Sequence, residues 1–143
     1  MERLIKIEAD WTRPPTHNDR LKELHRYWME RRGVHARPSR RDIRPTDMIR
    51  ILRHVFLVDV GAKGDFRFRL AGSHFTENTG LAMAGASIAS VFPEMFCREV
   101  REAWGHCANQ SASILGRGRS WIPERDFLNW EGVVLPLGEP DQP

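Results

Sequence analysis

One run of five residues, Phe66-Arg67-Phe68-Arg69-Leu70, constrains the fold of this chain more than any other segment. Its apolar and charged residues alternate, and successive side chains of a β-strand point to opposite faces. The run therefore predicts a strand whose phenylalanines and leucine face the core and whose arginines face water. The preceding stretch 54–60 is rich in branched and aromatic residues, and Gly61 and Gly64 predict a turn between the two stretches. We expect an antiparallel hairpin here.

Two further segments repeat apolar residues at helical spacing. The first, 17–32, follows a start at Thr16 that resembles a capping box, and it ends before Gly33. The second, 94–109, follows a proline, which suits the first turn of a helix. Its apolar face comprises Phe96, Val100, Ala103, Trp104 and Cys107. Both patterns predict amphipathic helices that turn one face toward a core.

The rest of the chain predicts short elements. Glycines interrupt 73–92 and indicate short helical turns, while 112–121 and 127–137 are strand candidates. Strands and helices segregated in this order are typical of the α+β class. We expect an N-terminal extension (1–16), a helix with an Arg-rich surface connector (17–53), a core domain (54–137) and a tail (138–143).

Length and composition indicate one globular domain. The chain has 143 residues, 41% of them hydrophobic, which is enough for a single core. The N-terminus lacks the apolar run of a signal peptide, and no segment is long and apolar enough to span a bilayer, so we expect a cytoplasmic protein without a membrane partner. Cys97 and Cys107 form no C-x-x-C pair, and we interpret them as reduced, buried thiols that hold no metal.

Positive charge is concentrated between Arg20 and Arg53. This segment holds 11 basic residues against four acidic ones, a net charge of +7, whereas the whole chain carries +3. Clustered positive charge raises the affinity for polyanions. No helix-turn-helix, aromatic RNA-binding motif or zinc finger accompanies the cluster. The sequence therefore favours a solvated face with local ion pairs over a nucleic-acid site.

Motifs of catalysis are absent. The sequence lacks G-x-S-x-G, H-E-x-x-H, a phosphate-binding loop and a dinucleotide-binding glycine signature. Gly116-Arg117-Gly118 is too short to count as the last of these. We therefore expect a binding or interaction module and not an enzyme.

Several segments resemble a bacterial subfamily of PAS domains. They are PSRRDIRP at 38–45, HVFLVDV at 54–60 and FRFRLAG at 66–72, with Tyr27-Trp28 upstream. The glycine-punctuated segment of that subfamily is matched by Gly80, Met83, Gly85, Ile88, Val91 and Phe92. The resemblance implies an antiparallel sheet with small helices and one long helix on one face, preceded by the N-terminal amphipathic helix. It also implies signalling through ligand binding or protein contacts.

A PAS fold implies a cavity between the sheet and the small helices. The residues expected to line it are Phe68, Leu70, His74, Phe75, Asn78, Met83, Val91, Phe96, Val100, Trp104 and Trp130. They suit a filled core equally well, because a densely packed interior leaves no room for a ligand. The sequence thus leaves a small-molecule ligand open. We expect no cofactor, and haem in particular is disfavoured because His106 lies off the apolar face of its helix.

The resemblance also implies a final strand beside the first strand of the sheet, and none follows Leu137. The second edge of the strand at 55–60 would then need another partner, because unpaired backbone groups in a core sheet are costly. We consider three candidates for that place: residues 3–8, the strand at 127–137, or a second chain. A cut or altered C-terminus is the remaining alternative.

The first helix predicts self-association. Its apolar stripe, which a single domain would leave partly uncovered, comprises Leu21, Leu24, Tyr27 and Trp28. We expect a homodimer through this stripe, and a signalling protein partner because no output domain is attached. The alternatives are a ligand-free dimerisation scaffold and polyanion binding through the Arg-rich segment.

Overall fold

The computed structural model describes residues 4–120 and 129–138. In chain order, its helices and strands are β1 (Ile5–Ala9), α1 (Asp19–Arg32), β2 (Phe56–Val60), β3 (Phe66–Ala71), α2 (Ser73–Thr79), α3 (Ile88–Val91), α4 (Glu94–Gln110), β4 (Ile114–Arg119) and β5 (Asn129–Val134). Three 3-10 turns lie between α1 and β2, at Arg40–Asp42, Pro45–Met48 and Leu52–His54. Antiparallel sheets with helices confirm the α+β class. The predicted strand ends at 121 and 127 lie outside the described residues.

Both predicted long helices are present, with small shifts at their ends. α1 begins at Asp19, where the side chain of Asn18 accepts hydrogen bonds from two amides of the first turn at 2.9 and 3.3 Å. Asn18 and not Thr16 is therefore the cap. Gly33, at φ +56°, ends the helix. The apolar face of α4 is buried as the spacing predicted, at Phe96, Cys97, Val100, Ala103 and Cys107.

The predicted hairpin is present as β2 and β3, but one residue breaks its alternation. Phe68 and Leu70 pair with two successive residues of β2, so Arg69 between them is an extra residue and forms a bulge. An extra residue moves the following side chains to the other face. Ala71 therefore packs against the core. Leu70, which the strict alternation assigned to the core face, lies on the outer face instead.

The other three strands form a second antiparallel sheet, with the order β1–β4–β5. Residues 5–9 thus pair with β4, and the expectation that residues 3–8 pair beside β2 is wrong. Among the described residues, β5 pairs with β4 alone, so it does not take that place either. The second edges of β2 and β5 have no strand partner in the described parts of the chain.

The two sheets share one hydrophobic core, which is closed by α3 and α4. Its buried members come from β1, β3 and the segment 83–100: Ile5, Phe66, Phe68, Met83, Ile88, Val91, Phe96, Cys97 and Val100. A smaller cluster joins α4 to β4 through Ala103, Cys107 and Ile114. Burial raises the pKa of the Cys107 thiol to about 12, so this thiol stays protonated and unreactive.

The outer face of the second sheet is covered. Leu115 and Val133 pair with each other and point away from α4, yet they are only 0% and 7% exposed. α1 contacts β5 on this side. On the same face, the Arg117 guanidinium binds the carboxylates of Glu8 and Glu131 at 2.7 and 2.6 Å. It also donates to the Pro15 carbonyl, which ties the segment before α1 to the sheet.

The connector after α1 is less exposed than expected. Arg37, Pro38 and Ser39 are buried. Arg37 donates to the Ser111 hydroxyl at 2.6 Å, and the Gly138 amide donates to the Pro38 carbonyl at 3.0 Å. These bonds hold the connector between the end of α4 and the segment that follows β5. Part of the predicted surface connector is therefore a structural clamp.

Candidate functional site

A cavity is expected between the sheet and the small helices, but aromatic rings fill the interior between the sheets and the helices. The Trp104 indole stacks on Phe56 at a centroid distance of 5.5 Å. Edge contacts follow with Phe66 at 5.8 Å, Phe68 at 6.1 Å and Phe92 at 6.4 Å. Such offset and edge-to-face pairs stabilise a core beyond the burial of area alone. We call these five rings the aromatic cluster.

Most of the predicted pocket residues belong to this filled interior. Phe68, Met83, Val91, Phe96 and Val100 are buried in the core. Phe75, Trp104 and Trp130 are partly buried against it. His74 and Asn78 lie at its rim on α2, whereas Leu70 lies on the outer face. The structure thus brings most of the set together, but around packed side chains.

A glycine determines how α2 meets the last 3-10 turn. The Gly72 amide donates to the Val55 carbonyl at 2.8 Å. A β-carbon at Gly72 would lie 2.3 Å from the carbonyl oxygen of Arg53, so only glycine allows this approach. The contact brings His74 of α2 over His54, with ring centroids 4.2 Å apart and planes inclined by 40°. We call these two residues the histidine pair.

The histidine pair lies among positive charges. Burial, then His74 and the arginines Arg20 and Arg53, lower the pKa of His54. Burial, Arg53 and Arg20 also lower the pKa of His74, which Glu77 partly offsets. Both imidazoles are therefore neutral near pH 7. Glu77 is itself paired with Arg53 at 3.1 Å.

Asn78 orients the ring of His74. Its side-chain amide donates to the His74 carbonyl at 2.7 Å and lies 3.3 Å from the ring Nδ1. His74 also makes an edge contact with Phe75 at 5.8 Å, and Phe75 contacts Phe56 of the aromatic cluster at 5.4 Å. A continuous set of ring contacts thus connects the rim to the core.

Sequence reasoning missed one member of this rim, His54. The residue begins a stretch that resembles a strand, so it was assigned to the hairpin. His54 and His74 are 20 positions apart in the sequence, and their contact depends on the close approach of the two backbone segments at Gly72. That glycine was the only signal in the sequence. His106, by contrast, is exposed on α4, and the absence of haem stays a prediction.

The stripe predicted for dimerisation is largely covered within the chain. Trp28 is only 6% exposed, and its indole N–H donates to the Pro136 carbonyl at 2.8 Å. Leu24 and Tyr27 pack against a cluster in the connector, and Leu21 is half-buried. Of the stripe, Trp28 is covered, whereas Leu21, Leu24 and Tyr27 are half-buried. Dimerisation through this stripe stays a prediction.

A groove lies outside the core, along α1. It has a volume of about 430 Å³ and is lined by Asp19, Arg20, Lys22, Glu23, Arg26, Arg50 and Ile51. Elsewhere in the Arg-rich segment, Arg31 pairs with Asp47 at 3.1 Å, and Tyr27 donates to the same carboxylate at 2.7 Å. Positive charge is thus neutralised locally near Asp47 but accumulates around the groove.

A metal site and a membrane-spanning helix are both absent from the described residues. Within 4–120 and 129–138, no three His, Cys, Asp or Glu side chains are grouped as a metal site would require. None of the helices described is long and apolar enough to cross a membrane.

The sheets, the short helices and the long α4 are the arrangement implied by the resemblance, and the comparison of families agrees. A family described as a PAS domain matches residues 16–143. The chain therefore belongs to the PAS domain family. No curated protein and no solved structure shows significant similarity to the chain. PAS domains are in general sensory and interaction modules of signalling, and this general role applies here.

Proposed function

We propose that this PAS domain signals through protein contacts and stores no ligand in its core. The observation that carries the proposal is the aromatic cluster, in which the Trp104 indole lies against four phenylalanine rings at 5.5 to 6.4 Å. Rings at these distances occupy the space that a ligand would need. The groove along α1, which described residues form, lies outside this interior.

A second observation supports protein contacts. Phe68 turns its amide and carbonyl away from β2, toward Ala86 and Gly85, at 2.9 and 2.6 Å. Opposite residues of an antiparallel pair share this orientation, so Val58, which pairs with Phe68, turns its own amide and carbonyl away from β3. No described residue binds that edge. An unpaired edge is a template for a strand of another chain.

The experiment compares the wild-type protein with Trp104→Ala in the presence of indole. The substitution removes the central ring and leaves an apolar cavity of about the size of indole. Apolar cavities of this kind are able to bind small aromatic molecules. Indole should raise the melting temperature of Trp104→Ala and leave that of the wild type unchanged. An indole-stabilised wild type, or a small molecule found by native mass spectrometry in the purified wild type, would contradict the filled core.

The surface used for protein contacts is also part of the proposal. A homodimer or a signalling partner would use the edge of β2 in preference to the stripe on α1, because Trp28 is buried in its own chain. Val60, at the end of β2, is 62% exposed and would be covered by such a contact. A cytoplasmic location is consistent with this role and belongs to the proposal.

A further inference from the structure

The groove along α1 is lined by more positive than negative side chains. Four of its side chains are basic, Arg20, Lys22, Arg26 and Arg50, and two are acidic, Asp19 and Glu23. Glu23 pairs with Arg50 at 3.7 Å, and the Arg50 side chain is 88% exposed. This ion pair is therefore weak.

Among the described residues, three of the four cations, Arg20, Lys22 and Arg26, make neither an ion pair nor a side-chain hydrogen bond. Two other arginines of the Arg-rich segment are compensated, Arg31 by Asp47 and Arg53 by Glu77. With four cations against the carboxylates of Asp19 and Glu23, the described lining of the groove carries a net charge of +2, which raises the local potential and attracts an anion.

The size of the groove selects the kind of anion. Residues 19–26 of α1 span about 11 Å along the helix axis, which is long enough for two or three adjacent phosphates. A volume of about 430 Å³ lies within the usual range of small-molecule sites. Ile51, which is only 4% exposed, belongs to the floor of the groove.

We infer that this groove binds a small molecule with two or more adjacent phosphate groups, held by Arg20, Lys22 and Arg26. The site lies outside the core and so goes beyond the proposed function. Binding at the groove and the absence of a ligand in the core are independent, so either claim can fail while the other holds. The same anion would lie close to the histidine pair, because the charge of Arg20 acts on both imidazoles.

The test titrates the protein with inorganic pyrophosphate by isothermal calorimetry at 20 and 150 mM salt. The groove variant is Arg20→Gln with Arg26→Gln. The control variant is Arg98→Gln with Arg101→Gln, because both residues are exposed on α4, on the other side of the sheet, and the change in charge is the same. Circular dichroism verifies that both variants fold.

Saturable binding by the wild type, weakened at least tenfold in the groove variant and unchanged in the control, is the expected result. Equal weakening in both variants means attraction to net charge only and overturns the site. Absence of saturable binding overturns it as well. A DNA duplex that displaces pyrophosphate and binds more tightly would assign the surface to nucleic acid and would also overturn the proposal.

A second readout is independent of affinity. Bound phosphates compensate the charge of Arg20, so the pKa values of His54 and His74 should rise when pyrophosphate saturates the groove. Proton NMR of the imidazole C–H signals measures both values with and without the anion. Unchanged histidine titrations at saturation would mean that the anion binds elsewhere.

Discussion

The two sheets contribute to one core but differ in what covers them on the outside. Leu115 and Val133 of β1–β4–β5 are buried under α1, and Arg117 ties down the segment before that helix. On β2–β3 the outer face carries the Asp59–Arg69 ion pair, whose side chains are more than half exposed. The sheet β1–β4–β5 is therefore enclosed on both faces, whereas β2–β3 keeps a wet outer face. The difference suits the proposal that contacts with partners use β2–β3 and not β1–β4–β5.

The largest expected effect comes from the shared core. Trp104→Ala should lower the free energy of unfolding by about 3 kcal/mol, near the low end for a tryptophan because the ring is only partly buried. His106→Ala, two residues along the same helix and exposed, is the matched control and should change little. Chemical denaturation of the three proteins measures the difference. Equal midpoints for wild type and Trp104→Ala would mean that the ring does not support the core.

A smaller effect is expected where α2 meets β2–β3. Gly72→Ala adds a β-carbon 2.3 Å from a backbone oxygen, and the resulting shift should cost about 1–3 kcal/mol. Gly105→Ala is the control, because nothing lies within 4 Å of its added carbon and alanine favours a helix. It should leave stability unchanged or raise it. A Gly72→Ala protein as stable as the wild type would contradict the close approach that forms the histidine pair.

These positions also illustrate what the sequence predicts. The helical spacing of α4 placed Phe96, Val100 and Cys107 correctly, because a period of 3.6 residues is a local property. The bulge at Arg69 could not be predicted, since an extra residue shows only against the partner strand. The histidine pair depends on an approach between two elements at one glycine. The covering of Trp28 depends on Pro136, more than 100 residues away. Local periodicity was predictable, whereas tertiary contacts were not.

The histidine pair should make stability depend on pH. Both imidazoles have a lowered pKa in the folded state. The unfolded chain, whose histidines have a pKa of about 6.5, therefore takes up protons at a higher pH than the folded chain does. Stability should be fully present above that pH and should fall as the pH drops toward the folded values. Denaturation at pH 7.5 and 5.5 measures this loss for the wild type and for His54→Gln with His74→Gln.

The double variant should lose less stability than the wild type across that range. Some dependence should remain, because burial also lowers the pKa of His25. An identical loss of stability in both proteins would mean that the histidine pair does not contribute to the pH dependence.

The smallest effect concerns single amides and tests the free edge directly. Asp59 faces Arg67 within the hairpin, whereas its neighbour Val58 turns its amide away from β3. In a dilute monomer, hydrogen exchange measured by NMR should therefore be faster at Val58 than at Asp59, although the two residues are adjacent. Raising the protein concentration should slow exchange at Val58 if a second copy pairs with the edge, because a new backbone hydrogen bond protects the amide. Unchanged exchange at high concentration would assign the edge to a different partner. Slow exchange at Val58 already in the dilute monomer would mean that the edge is paired within the chain, and the contrast between an enclosed and an open sheet would fail.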